Sequence, residues 1–179
     1  MQSHSDVSVR EARLDDVPLL FKARRNMFSE LGTSVRPEDM AVVDSALKEF
    51  VQKQAEIGPI GFVAEDETGE MVGAVSISHE IVQPSLHNPT GKQTTLYGMW
   101  VRPASRRRGV ARALVATAVE ASRAAGAGAV SLMASDTGRD LYRSLGFVAV
   151  PAMRLSFQPL VEIHAHDEDP RAEVAGSTA

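Results

Sequence analysis

The chain has 179 residues, about one domain's worth, with 44% hydrophobic and 23% charged residues, enough apolar side chains to bury a core. No apolar run reaches the roughly 18–20 residues of a membrane span, no leader of charged then apolar residues opens the chain, and zero cysteines exclude disulfides, a thiolate nucleophile and Cys-ligated zinc. The formal net charge of -4 resides in residues 160–179, whose five acids and one base, removed from 23 acids and 19 bases, leave 18 of each. The expectation is a cytoplasmic protein with no membrane partner.

In chain order, alternating apolar and polar residues from Val7 to Ala12 predict a half-buried strand. Asp15 or Asp16 caps a helix with Pro18 in its first turn, and Val17, Leu20, Phe21, Phe28 and Leu31 form its stripe up to Gly32. A second helix starts near Pro37, with Met40, Val43, Leu47, Phe50 and Val51 on one face, and stops at Gly58-Pro59. Two strands, Gly61–Glu65 and Met71–Ile81, flank a turn around Thr68-Gly69, and a loop of turn formers spans residues 83–92. Thr94 to Val101 reads as a strand with a bulge at Gly98. Next come a helix from about Gly109, a strand over Ala129–Ala134, a short helix over Thr137–Leu145, and strands at Phe147–Val150 and Met153–Phe157. After Pro159 the small and acidic residues predict a disordered tail. The order gives a mixed α/β, or α+β, fold in a single domain, residues 1–158, followed by an acidic tail, residues 159–179.

The stretch that carries chemistry is Met99 to Ala111. A strand ends, an arginine-rich turn follows, and Gly109 opens an apolar helix. Arg102, Arg106, Arg107, Arg108 and Arg112 stand within eleven residues that contain no acid. The first amides of a helix lack internal partners and carry the positive end of its dipole, glycine admits a close approach to the backbone, and arginines reach phosphate oxygens in pairs. The pattern fits a phosphorylated cofactor. A solvated arginine-rich loop is the plainer alternative; a nucleic-acid patch is disfavoured because aromatics, at 5%, are too few for stacking. No GxxxxGK[ST] and no GxGxxG occurs.

Arg106-Arg-Arg-Gly-Val-Ala111 resembles the R/Q-x-x-G-x-G/A signature of the GNAT superfamily of acetyl-CoA-dependent N-acetyltransferases, and Leu141-Tyr-Arg-Ser-Leu-Gly-Phe147 resembles that family's LYxxLGF run. The likeness covers about residues 7–157. It implies a mostly antiparallel sheet flanked by helices, with the fourth and fifth strands splayed around acetyl-CoA as co-substrate and no metal. Arg106, Arg107, Arg108, Gly109, Val110 and Ala111 would then receive the CoA diphosphate, the backbone of Met99, Trp100 and Val101 the pantetheine arm, and Tyr142 would protonate the departing thiolate. Ser135 stands where many relatives have a cofactor-contacting asparagine; it is equally a helix cap. Substrate contacts would come from about Arg24–Gly32 and Gln83–Lys92, with Phe28 and Glu30 as pocket candidates. The plainer roles are a core side chain for Phe28 and a solvated helix end for Glu30.

One departure from the family pattern matters. Thr94–Val101 contains no Glu, Asp or His to deprotonate an amine. His79, Glu80 or Asp136 could act instead, or the amine could arrive neutral; alternation puts His79 and Glu80 on opposite faces. His4, His87 and the His164/His166 pair read as ordinary side chains. The expected activity is direct acetyl transfer from acetyl-CoA to a primary amine on a small molecule or peptide, without a cysteine acyl-enzyme. The rival is a non-catalytic acyl-CoA-binding sensor module. Relatives often dimerise, and a homodimer stays open.

Overall fold

Alternating apolar residues lay the five strands side by side in chain order. The structure, a computed structural model, describes residues 7–159. It divides into two compact units that meet between Met133 and Ala134. The first contains β1 (Ser8–Glu11), α1 (Val17–Glu30), α2 (Pro37–Ala55), β2 (Gly61–Glu65), β3 (Met71–Ile81), β4 (Lys92–Val101), α3 (Val110–Ala124) and β5 (Ala129–Leu132). The sheet order is β1-β2-β3-β4-β5, antiparallel throughout except for the parallel β4–β5 pair. That pair needs a crossover, which α3 supplies.

The β2–β3 hairpin is organised by Asp66, whose Oδ1 accepts the amides of Thr68 at 3.1 Å and Glu70 at 3.0 Å. At the start of α1 the expected cap takes another form. Asp16 occupies the capping position without a capping bond, because its carboxylate is claimed by Arg10 at 2.7 and 3.0 Å and by the Arg13 amide at 2.8 Å. A charge-assisted pair outcompetes a neutral amide cap.

Helices cover both faces of the sheet. Leu20 and Ala23 of α1 and Val51 of α2 pack with Ile60, Val63 and Ala74. A Cβ at Gly73, next to Ala74 and so pointing to the other face, would meet Leu114 of α3 at 3.1 Å. Even-numbered residues of β3 near Ala74 therefore face α1 and α2, and odd-numbered ones face α3. Helix α2 is the looser of the three: Phe50, expected in its buried stripe, is 44% exposed.

The second unit holds a 3-10 turn (Asp136–Gly138) and α4 (Arg139–Ser144). The strands expected at Phe147–Val150 and Met153–Phe157 are absent: residues 147–159 form neither helix nor strand. Val148, Val150, Met153, Leu155 and Phe157 are all largely exposed, and Pro151 removes an amide from the middle of the run. Alternation alone does not make a strand without an edge to pair with. The acidic residues 160–179 and His4 lie outside the described residues.

Packing separates two substitutions. Leu114→Ala, at a site with 0% exposure, is expected to cost about 2–5 kcal/mol in urea unfolding, whereas Phe50→Ala should cost far less. Equal losses would contradict this assignment of the core.

Candidate active site

Strand β4 is paired unequally along its two edges. On one side it runs against β3 from Lys92 to Val101, and on the other its register with β5 covers only Gln93 to Leu96. From Tyr97 to Val101 the β5 side of β4 has no strand partner among the described residues. Within this stretch lies the expected bulge. Ala74 pairs with Trp100 but Ser76 pairs with Tyr97, so β4 carries one extra residue. Gly98 absorbs it at φ +58, a conformation that side chains other than glycine rarely adopt.

Beyond Val101 the chain turns through Pro103–Ser105 and enters α3 by way of two left-handed residues, Arg107 at φ 62 and Gly109 at φ 83. A positive φ at a non-glycine residue is uncommon, and here it re-aims consecutive amides. The Arg106 amide bonds Pro103 O at 3.2 Å, but none of the amides from Arg107 to Ala111 bonds a described backbone carbonyl. The Arg107 and Arg108 side chains are exposed and have no ion-pair partner among the described residues. Amides without a described backbone acceptor, two cations without an ion pair among the described residues and a helix start thus stand together in this turn, an arrangement that can hold an anion.

Arg106 differs from its neighbours. Its Nε donates to Val101 O at 2.9 Å and its Nη2 to Glu30 Oε2 at 2.5 Å. Glu30 Oε1 also accepts the Trp100 indole at 2.9 Å. The last turn of α1, the end of β4 and the arginine turn are thus tied by one carboxylate. Burial raises the Glu30 pKa, and the bonds from Trp100 and Arg106 outweigh it, leaving a net lowering. With both oxygens engaged, Glu30 acts as a clamp in this structure.

The face of β3 and β4 turned to α1 and α2 carries a polar network. Glu80 accepts Ser78 Oγ at 3.0 Å, Tyr97 OH at 3.4 Å and Gln93 Nε2 at 3.4 Å. Gln93 also donates to Ser131 Oγ at 3.2 Å, which lies 3.0 Å from Thr95 Oγ1. His79 points the other way: its ring bonds Pro59 O at 3.0 Å, and a Cβ on Gly58 would strike it at 2.9 Å. Of the two adjacent residues, Glu80 is presented beside Tyr97 and His79 is built into the scaffold. Phe28 lies in the wall of a cleft of about 750 Å³ between α1 and α2, with Arg25, Met40 and Asp44.

In the second unit, Tyr142 stands on α4 with its ring edge-on to Phe147, centroids 5.8 Å apart. Burial pushes its phenol above the ordinary value. Ser135 begins the 3-10 turn without a side-chain capping bond, its Oγ 3.3 Å from Thr137 Oγ1. Asp136 is exposed at the start of the same turn.

The acetyltransferase (GNAT) family model matches residues 24–147. The chain belongs to this family. It is accordingly an acetyl-CoA-dependent acyltransferase. A GCN5-related N-acetyltransferase from Ralstonia eutropha JMP134 shares the fold at TM-score 0.74 and 22% identity, over 84% of this chain and 98% of that one. A protein from Clostridium acetobutylicum, described as a predicted acetyltransferase and solved with acetyl-CoA, gives 0.73 and 21%, over 84% and 96%. Glucosamine-6-phosphate N-acetyltransferase from Arabidopsis thaliana gives 0.58 and 17%, over 84% and 97%. No curated protein matches the sequence. No helix of the described residues is long and apolar enough to cross a membrane, and no group of His, Cys, Asp and Glu among them is arranged to hold a metal.

Sequence reading of this GNAT enzyme did not single out Tyr97, and it held Arg24 only as the first residue of the Arg24–Gly32 segment. Tyr97 was legible as the third residue of the polar set Gln93, Thr95, Tyr97 on β4. Arg24 was legible as a charge inside the Leu20–Phe28 stripe of α1.

The Glu30 clamp has a spectroscopic consequence, because Trp100 is the sole tryptophan. Its fluorescence should hold steady as pH falls, then change only below the usual carboxylate range, where Glu30 protonates and the clamp's contribution to stability is lost. Arg106→Gln should move that midpoint upward. An unmoved midpoint would mean that Arg106 does not hold the carboxylate.

Proposed function

We infer that the enzyme passes acetyl directly from acetyl-CoA to a primary amine. The observation that carries this reading is the run of acceptor-free amides from Arg107 to Ala111, beside a β4 edge free from Tyr97 onward. The amides, with the Arg107 and Arg108 guanidinium groups, suit a diphosphate. The free edge at Met99, Trp100 and Val101 suits the amide groups of a pantetheine arm, in the manner of an added strand. Acetyl-CoA supplies an activated acetyl thioester.

The residues of this chain supply orientation and protons. Glu80, already an acceptor for three donors on the face beside the β4 bulge, takes the proton that the amine nitrogen loses as the new C–N bond forms. It answers the lack of an acid within Thr94–Val101, which was the main support for a non-catalytic sensor module. A β4 amide near the bulge polarises the thioester carbonyl. Tyr142 gives its phenolic proton to the sulfur as the C–S bond breaks, and Ser135 is the candidate for a hydrogen bond to the cofactor. Because burial raises the Tyr142 pKa, the phenol remains protonated throughout the neutral range. The amine acceptor is a small molecule or a peptide, and the chain through residue 158 acts as one catalytic domain in the cytoplasm.

The decisive experiment is thiol release from acetyl-CoA against a panel of primary amines. Tyr142→Phe should lower kcat by about 10²–10⁴-fold with acetyl-CoA affinity nearly intact; full turnover would remove Tyr142 from the mechanism. Gly109→Glu should abolish acetyl-CoA binding through like-charge repulsion at the diphosphate, and unchanged affinity in calorimetry would sink that assignment. The pH–rate profile should rise to a plateau and show no Tyr142-dependent fall below about pH 10, the ordinary phenol value.

A further inference from the structure

Arg24 is a cation placed inside a packed stripe without an ion-pair partner among the described residues. It follows Leu20 by four residues and precedes Phe28 by four, so all three lie on one side of α1. A Cβ at Gly98 would sit 3.4 Å from the Arg24 Cβ, which puts its stem against the β4 bulge. The guanidinium lies over the Phe28 ring, 5.0 Å from the centroid. It makes no hydrogen bond or ion pair with any described residue, and its Nε is shielded from solvent.

The nearest carboxylate does not satisfy it. Asp44 is close enough to be felt electrostatically, but its Oδ2 is taken by Arg25 Nη1 at 2.7 Å, and its Oδ1 is buried without a donor. Desolvation lowers the Arg24 pKa, offset in part by Asp44 and Tyr97. A guanidinium does not shed its proton in a protein, so the charge persists and calls for an anion. The cation–π contact with Phe28 holds the guanidinium beside the ring, and a guanidinium is suited to a two-pronged contact with carboxylate or phosphate oxygens.

Tyr97 is near both this cation and Glu80. It interacts with Arg24 and hydrogen-bonds Glu80. An acceptor with an anion at one end and an amine at the other would span the two. Phe28, over which the Arg24 guanidinium lies, is also part of the wall of the α1–α2 cleft.

We propose that Arg24 binds an anionic group of the acceptor, so that the amine acetylated here carries a carboxylate or a phosphate. The proposal rests on the acetyltransferase reading of the cleft and adds its substrate class. The plain alternative is that Arg24 serves only packing, its charge met by Asp44 through solvent.

The test uses matched pairs of primary amines with the full-length protein: α-amino acids against their carboxamides, and phosphoethanolamine against ethanolamine. Each member is assayed for thiol release and for thermal stabilisation of the CoA-bound protein. Wild type should favour the anionic member of one pair by about tenfold or more in kcat/KM, on the scale of a charge-assisted contact. R24Q should collapse that ratio and R24K should keep part of it, and the pair concerned tells carboxylate from phosphate. Equal use of both members by wild type, or a ratio that survives R24Q, overturns the proposal. If no amine releases thiol, the acetyl-transfer reading fails and the anion site is judged by melting alone. Stabilisation by an anionic member that is lost in R24Q upholds it, and no such stabilisation overturns it.

Discussion

The structure depends on β4 pairing fully along one edge and only halfway along the other. Against β3 it is held for its whole length, which keeps it in the sheet; against β5 it is held from Gln93 to Leu96 and then let go. A backbone with unsatisfied donors and acceptors beside a closed sheet is costly unless water or a ligand meets it. The extra residue near Gly98 turns this opening into a shaped one, since a bulge twists its strand and re-aims the residues beyond it. Glycine suits the position twice over, for its positive φ and for the Arg24 stem packed against it.

The distribution of charge obeys the same geometry. Several cations meet carboxylates: Arg10 binds Asp16 and Glu65, Arg36 binds Asp39, and Arg102 reaches Glu70. Around the opening Arg107, Arg108 and Arg24 have no such partner among the described residues. Arg106 marks the boundary between the two classes, because Glu30 draws it back to α1 and thereby holds the arginine turn in place. The turn is therefore positioned by one ion pair and left charged by the absence of others.

Most elements were legible locally. The stripes of α1 and α3, the Thr68-Gly69 turn, the β3 limits and the Gly98 bulge come from residue periodicity and from the conformations that glycine and proline allow. The LYRSLGF and RRRGVA runs marked the family because each combines a local conformation with chemistry. The failures share one cause, a partner outside the local pattern. Alternation at Met153–Phe157 resembled a strand, but a strand forms only on a partner edge. Asp16 had the composition of a cap, but Arg10 on β1 took its carboxylate.

The sequence by itself determined the order of elements from β1 to α4, the glycine at the entry into α3 and the family to which the enzyme belongs, because these depend on neighbours a few residues apart. Only the tertiary structure decided that Glu80 rather than His79 is offered beside Tyr97, that Glu30 is a clamp on Trp100 and Arg106, and that Arg24 makes no ion pair among the described residues. Those outcomes depend on which side chains meet across 17, 70 or 76 residues of intervening chain. Pairing at such separations is set by strand register and helix packing, which no local pattern encodes.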